Sequence, residues 1–105
     1  MKNYPTREAA RSALLIAALQ EAQSVGYQMV TLGAAAARCG RTAGWACTLM
    51  QADELQDALM RAACEGRVLR VIAQGLATQH PVALALPEDV RRAAGEALVG
   101  VGAGG

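Results

Sequence analysis

Aromatic residues are scarce in this chain of 105 residues, which holds one Trp, two Tyr and no Phe. Because 53% of the residues are nevertheless apolar, a core has to be built from Ala, Leu, Val and Met. Alanine is the best helix former and occupies little space, so this composition favours thin, closely packed helices in one domain. Trp45 is the one large side chain available to anchor that core; the alternative is an exposed Trp45 that serves as a hot spot for a partner.

A surplus of charge of either sign is also missing. The formal net charge is +1, which by itself does not indicate a nucleic acid, a membrane or an acidic partner. Lys2 is the only Lys beside nine Arg residues. Arginine suits bidentate contacts with phosphate or carboxylate, although a GC-rich genome gives the same bias.

The chain has no long apolar run. The most apolar stretch, residues 13–19, is far shorter than the roughly 20 residues that span a bilayer. Residues 1–6 lead directly into a charged helix start and do not resemble a signal peptide. We therefore expect a cytoplasmic protein that makes no membrane contact.

Few groups could carry out chemistry. His80 is the only histidine, and no Ser, Cys or Asp stands in a recognised motif with it. The number of cysteines is odd, at three: Cys39, Cys47 and Cys64. Their spacing matches neither a CxxC pair nor a zinc pattern, which predicts free thiols in a reducing compartment. The glycines do not match a phosphate-binding loop. The sequence thus predicts a protein that is not an enzyme, with no catalytic residue, no metal and no cofactor.

Apolar residues at helical spacing predict that most of the chain is α-helical. Thr6, Thr31 and Asp53 stand where a short polar side chain can cap the first turn of a helix, and a glycine follows each of these three helices. The predicted helices cover residues 6–25, 31–39, 53–65 and 87–98, with a possible further helix over 42–51. The glycine-rich residues 99–105 are expected to form a flexible tail.

Residues 67–86 change from helical to strand-like patterning. The stretch RVLRVIA at 67–73 is rich in β-branched residues, and VALAL follows at 82–86. Gly75 and Pro81 supply turn chemistry between the two stretches, which predicts a β-hairpin with a long tip. Residues 27–30 are expected to form another short extended segment.

The order of three helices followed by a hairpin resembles bacterial winged helix-turn-helix domains. MVTLGAAAARCG at residues 29–40 is similar to their second helix, and DALMRAACEGRVLRV at 57–71 is similar to the end of their third helix and the entry to the wing. These stretches make up roughly a quarter of the chain. The resemblance implies a fold that is mostly α with a small β-hairpin, as one winged-helix-like domain over residues 1–98. It also implies binding of duplex DNA, as by a small transcriptional regulator of bacterial, plasmid or phage origin.

The charge pattern departs from this family in one place. The helix at 53–65, which should enter the major groove, carries four acids against Arg61 alone. Residues 41–52 are then either an extra helix or the true recognition helix. Residues 31–52 and 66–86 contain no acid, so a basic face is expected there. The candidate DNA-binding residues are Arg38, Arg41, Thr42, Thr48, Gln51, Arg67, Arg70 and His80; a solvated loop residue is the alternative for His80.

The first helix is more apolar than one buried stripe requires. Leu14, Leu15, Ile16 and Leu19 point around more than one face, which predicts a homodimer interface. The acidic helix and the near-neutral charge also leave a second hypothesis open. In that hypothesis the chain is a protein-binding winged-helix module, such as a small mobile-element inhibitor that blocks a host protein complex like a CRISPR effector.

Overall fold

The computed structural model describes residues 4–104, with side chains described for residues 4–97. These residues form helices joined by turns, and no strand occurs among them. The α-helices are α1 (Arg7–Val25), α2 (Leu32–Arg38), α3 (Ala43–Cys47), α4 (Leu55–Glu65), α5 (Leu69–Ala77), α6 (Pro81–Leu84) and α7 (Glu88–Gly104), and 3₁₀ turns at Tyr27–Met29 and Ala52–Glu54 precede α2 and α4. The last helix, predicted over 87–98, continues to Gly104. The flexibility expected at 99–105 remains a prediction, and the side chains of 98–104 and all of Gly105 lie outside the described residues.

The predicted β-hairpin at 67–86 is wrong, and with it the winged-helix fold. Residues 67–73 lead into α5, and residues 82–86 lie mostly in α6. A short apolar run fits a buried helix as well as a strand, so its periodicity alone does not decide between them. Tertiary packing decides here: Val71 and Ile72 are fully buried where α5 packs against α4, α6 and α7.

Gly75 and Pro81 have roles other than those of turn residues in a hairpin. Gly75 is buried inside α5, where an added Cβ would lie 2.7 Å from the tip atoms of Met60 and 2.9 Å from the Cβ of Ala83. Pro81 occupies the first turn of α6, where its missing N–H leaves no hydrogen bond unmade. Gly75 therefore allows α5 to pack closely, and Pro81 starts α6.

The predicted threonine caps are confirmed. Thr6 Oγ1 accepts a hydrogen bond from the Ala9 N–H at 3.0 Å, and Thr31 Oγ1 accepts one from the Ala34 N–H at 3.1 Å. These bonds satisfy backbone donors that the first turn of a helix leaves without partners. The two helices predicted from these residues are α1 and α2.

Two local predictions need correction. Residues 27–29 form a 3₁₀ turn where an extended segment was expected. The cap predicted at Asp53 also lies elsewhere: Asp53 is inside the 3₁₀ turn before α4, and the Glu54 carboxylate accepts the Gln51 N–H at 2.9 Å. The helix itself is present, and the error is confined to its first residues.

The core consists of a few long aliphatic side chains separated by many alanines. Leu14, Leu59, Met60, Val71 and Ile72 are the largest fully buried residues. Trp45 is not the central anchor, because it is half-buried at the edge of the core. No helix in the described part of the chain is both long and apolar enough to cross a bilayer.

Candidate nucleic-acid interface

A tight turn joins α2 to α3. Gly40 has a φ of 70°, a left-handed conformation that favours glycine. The Arg41 N–H donates to the Ala36 carbonyl at 2.9 Å and closes the end of α2. Thr42 then caps α3, since its Oγ1 accepts from the Trp45 N–H at 3.2 Å. Residues 31–49 therefore form two short helices joined by a four-residue turn that contains glycine.

The outer face of α3 consists of small, uncharged residues. Thr42, Ala43, Gly44, Cys47 and Thr48 are all exposed. Because none of them has a long side chain, another surface can approach the α3 backbone closely. Residues 43–47 form the short helix α3 directly after the turn, which fits both alternatives for residues 41–52, an extra helix or the recognition helix.

An open cleft of about 560 Å³ lies beside α3, between this helix and the start of α1. We call it the aromatic cleft. At its rim, Arg7 Nη2 donates to the Thr48 carbonyl at 2.8 Å and to the Leu49 carbonyl at 3.2 Å. A cation there is favourable because the carbonyls at the end of a helix carry partial negative charge. The residues that line the aromatic cleft are Tyr4, Pro5, Thr6, Arg7, Ala10, Arg41, Trp45, Thr48 and Leu49.

Two aromatic rings and a guanidinium group pack together in the aromatic cleft. The Tyr4 and Trp45 rings are stacked, with centroids 5.9 Å apart and planes inclined by 29°. The Arg41 Cζ lies 5.7 Å from the Tyr4 centroid and 5.4 Å from the Trp45 centroid. Such distances allow the cation to be attracted by both ring faces. The cluster therefore holds a positive charge beside an aromatic surface.

A second cleft, of about 460 Å³, continues on the other side of Tyr4 between α1 and α2. Its basic residue is Arg38, whose Nε donates to Glu21 Oε1 at 2.8 Å. Its other lining residues are Tyr4, Ala13, Ile16, Ala17, Gln20, Cys39 and Gly40. Among the residues the structure describes, neither cleft is lined by an Asp or a Glu.

The structure separates the predicted DNA-binding residues into two groups. Four of them lie together around the α2–α3 turn: Arg38, Arg41, Thr42 and Thr48. Gln51 is exposed just beyond α3. Arg67 and Arg70 are exposed where α4 connects to α5. They belong to a helical corner and not to a wing.

His80 is buried, so neither prediction for it holds. Its side chain is 8% exposed, too little for a DNA contact or a solvated loop residue. Nε2 lies 2.8 Å from Asp57 Oδ1, and Nδ1 accepts the Val82 N–H at 3.2 Å and so caps α6. The His80 and Tyr27 rings also pack edge to face, with centroids 5.9 Å apart. His80 therefore joins α4, α6 and the 3₁₀ turn after α1.

The four leucine and isoleucine residues predicted at a dimer interface differ in exposure. Leu14 is fully buried within the chain and offers no surface to a second copy. Leu15 and Leu19 are half-buried, and Ile16 is 58% exposed. These three residues line a shallow groove of about 400 Å³ with Ser12, Ala62, Glu65 and Gly66.

All three thiols are free, as predicted, but their environments differ. Cys47 is exposed on α3, Cys39 is half-buried and Cys64 is buried. Burial raises the pKa of the Cys64 thiol because the thiolate is poorly solvated there, and the nearby Arg67 only partly offsets this effect. Within the described residues, no group of three His, Cys, Asp or Glu side chains is placed to hold a metal ion.

Sequence reasoning missed Tyr4 and Arg7 as parts of the candidate site. Arg7 offered one signal: a cation in the first turn of a helix is unfavourable in the helix dipole, which indicates a partner elsewhere. That partner, the end of α3, is 41 residues away in sequence. Tyr4 offered no such signal.

Comparisons with protein-family models, with curated proteins and with solved structures give no match to this chain. Its function therefore has to be inferred from its own residues and their geometry.

Proposed function

We propose that this chain is a small cytoplasmic DNA-binding protein that acts in transcription regulation and approaches duplex DNA with α2, the turn and α3. The observation that carries the proposal is the surface around α3. Among the described residues, Arg7 and Arg41 line the cleft beside this helix, and Arg38, which pairs with Glu21, lines the next cleft, between α1 and α2. No described acid lines either cleft. Contacts between arginine and phosphate supply most of the sequence-independent affinity for DNA.

The exposed face of α3 supplies groups suited to the groove. Thr42 Oγ1 accepts a hydrogen bond from the backbone, so its O–H is available to donate to a phosphate oxygen. Thr48 Oγ1 donates to the Trp45 carbonyl at 2.6 Å, so its lone pairs are available to accept from a base amino group. Ala43 and Gly44 between them allow the backbone to come close to the base edges.

The acidic α4 does not contact the DNA in this arrangement. Asp57 and Glu65 of α4 are exposed, as are Asp53 and Glu54 in the 3₁₀ turn before it, and phosphates would repel all four. The unit that enters the groove is therefore α3, one helix earlier than the winged-helix resemblance implies.

Arg38→Ala tests the assignment, with Arg92→Ala as the matched control. Both arginines form surface ion pairs with a glutamate, at 2.8 Å and 3.1 Å, but Arg92 lies on α7. Binding to a mixed-sequence duplex is measured by fluorescence anisotropy across a salt series. Each phosphate contact contributes a slope of about −0.9 in log affinity against log salt. Arg38→Ala should therefore weaken binding and make the slope less negative by about that amount, while Arg92→Ala should change neither. Equal effects of both variants, or no binding at low salt, would contradict the proposal.

A second candidate function, binding to another protein, is favoured by the exposed Ile16. We propose that the partner is a second copy of the chain, because a dimer presents two α2–α3 units to a two-fold symmetric DNA site. In this arrangement Ile16 of each copy packs into the groove between Leu15, Leu19 and Ala62 of the other.

Sedimentation at micromolar concentration measures the dimer directly. Ile16→Glu should give a monomer, and Met29→Glu is the control because Met29 is 71% exposed at a different surface. Arg38 lines the same cleft as Ile16, so Arg38→Ala is sedimented alongside to measure whether this variant itself changes the dimer. A monomeric parent protein, or dissociation by Met29→Glu as readily as by Ile16→Glu, would reject this interface.

A further inference from the structure

We infer that the aromatic cleft binds a nucleotide whose base is unstacked, so that the protein prefers DNA with unpaired bases to a perfect duplex. The inference rests on the proposed function and specifies the DNA that this surface recognises. A base within a duplex is stacked on its neighbours and cannot enter a cleft, whereas a base in a single strand or a bulge can.

The ring pair is the first observation. The chain has only three aromatic residues, yet Tyr4 and Trp45 stack at the rim of an open cleft and remain half-buried. A large apolar ring is usually most useful to a small domain inside its core. Both rings also pack against the core, so it is their exposed parts at the cleft that offer a surface on which a base can stack, because every base has a π face.

The charges around the rings are the second observation. Arg41 lies over both rings, and guanidinium groups also stack on bases and attract phosphate. Arg7 is held at the rim because its Nη2 donates to two backbone carbonyls, and both of these hydrogen bonds come from Nη2. A guanidinium has five N–H donors, so Arg7 has others that can reach the phosphate of a bound nucleotide.

The volume of the cleft and the residues that line it are the third observation. Its volume of about 560 Å³ lies within the range of small-molecule pockets, roughly 300–1,000 Å³. No described acidic residue lines it. It continues directly from the exposed face of α3 through Thr48, so one DNA molecule can contact α3 and also place an unpaired base in the cleft.

Trp45 is the only Trp in the chain, so its fluorescence reports on the cleft alone. Three probes are compared: a mixed-sequence duplex, the same duplex with a bulge of unpaired thymines, and a single-stranded oligothymidine. Stacking of a base on Trp45 should quench its emission with the bulged duplex and the single strand but not with the perfect duplex. By anisotropy the bulged duplex should bind about tenfold more tightly than the perfect duplex, as expected for one stacked base.

Variants at the ring and at the rim separate stacking from charge. Trp45→Phe should keep the preference for the bulged duplex, because phenylalanine retains an aromatic face, and Trp45→Leu should lose it. Arg7→Gln should weaken binding of the bulged duplex, and Arg61→Gln, an exposed arginine on α4, should not. Quenching of the parent protein needs no variant, so loss of folding in Trp45→Leu does not remove the test.

The outcomes distinguish this inference from the proposed function. If the perfect and bulged duplexes bind equally and quench Trp45 equally or not at all, the inference is overturned and DNA binding stands. If none of the three probes binds at low salt, both are overturned.

Discussion

Gly75 provides a direct test of how α5 packs. In the structure it lies inside a helix against Met60 of α4 and Ala83 of α6, whereas in a hairpin it would lie in an exposed loop. Gly75→Ala adds a single methyl group at the point of contact. That methyl would lie 2.7 Å from the sulfur and Cε of Met60 and 2.9 Å from the Cβ of Ala83.

Two opposing effects set the expected change in the free energy of unfolding. Replacing Gly by Ala inside a helix stabilises by about 1 kcal/mol. Overpacking a buried site costs about 1–3 kcal/mol. The Met60 tip could rotate away, but Met60 is fully buried, and the Ala83 Cβ can move only with its backbone. We therefore expect a net loss of stability of up to about 2 kcal/mol.

Gly95→Ala is the matched control, because Gly95 lies in α7 and an added Cβ would meet nothing within 4 Å. It should show the helix gain alone, so the two variants should differ by about 1–3 kcal/mol. Urea unfolding followed by circular dichroism measures both values. If Gly75→Ala is as stable as Gly95→Ala, the close approach of α5 to α4 and α6 is refuted.

Four further predictions concern the thiols, the buried histidine and the core. Iodoacetamide should modify the exposed Cys47 first and the buried Cys64 last, as followed by mass spectrometry, and a rapid reaction of Cys64 in folded protein would contradict its burial. Burial raises the pKa of Cys64, so the folded state holds the thiol proton more tightly than the unfolded state does. The free energy of unfolding should therefore fall as the pH rises past the ordinary thiol pKa of 9.0. Cys64→Ala should remove this fall in stability. His80→Ala should lower the free energy of unfolding by about 1–2 kcal/mol, because the α6 cap and the contact with Asp57 are lost. His80→Asn can still cap α6 and should recover part of this stability. Equal melting temperatures of His80→Ala and His80→Asn would argue against the cap. Leu59→Ala should cost about 2–5 kcal/mol because Leu59 is fully buried, and a change in melting temperature of only a few degrees would place it outside the core.

Features that depend only on neighbouring residues could be predicted from the sequence. Thr6 and Thr31 were predicted to cap helices because a hydroxyl three residues before a backbone N–H can bond to it whatever the rest of the chain does. Gly40 was predicted to end a helix for a similarly local reason. The absence of acids from residues 31–52 predicts a basic surface around Arg38 and Arg41; Glu21, from α1, pairs with Arg38, and the basic surface stays a prediction.

Tertiary structure alone decided the conformation of residues 67–86. Valine and isoleucine at 68–72 are compatible with a strand or a buried helix, and only the presence of α4, α6 and α7 on several sides of α5 selects the helix. Gly75 has the same ambiguity, since a glycine permits both a turn and the close approach of two helices.

The candidate site likewise depends on contacts that are distant in sequence. Tyr4 reaches Trp45, and Arg7 reaches the carbonyls of Thr48 and Leu49, only because α1 and α3 are brought together by the core. His80 shows the converse case. A lone polar residue next to a proline predicts a loop, but Asp57 and the Val82 N–H satisfy both ring nitrogens and allow His80 to be buried. Local sequence determines caps and helix ends because their partners lie within a few residues, whereas burial and the assembly of a site depend on which distant surfaces the packed helices bring into contact.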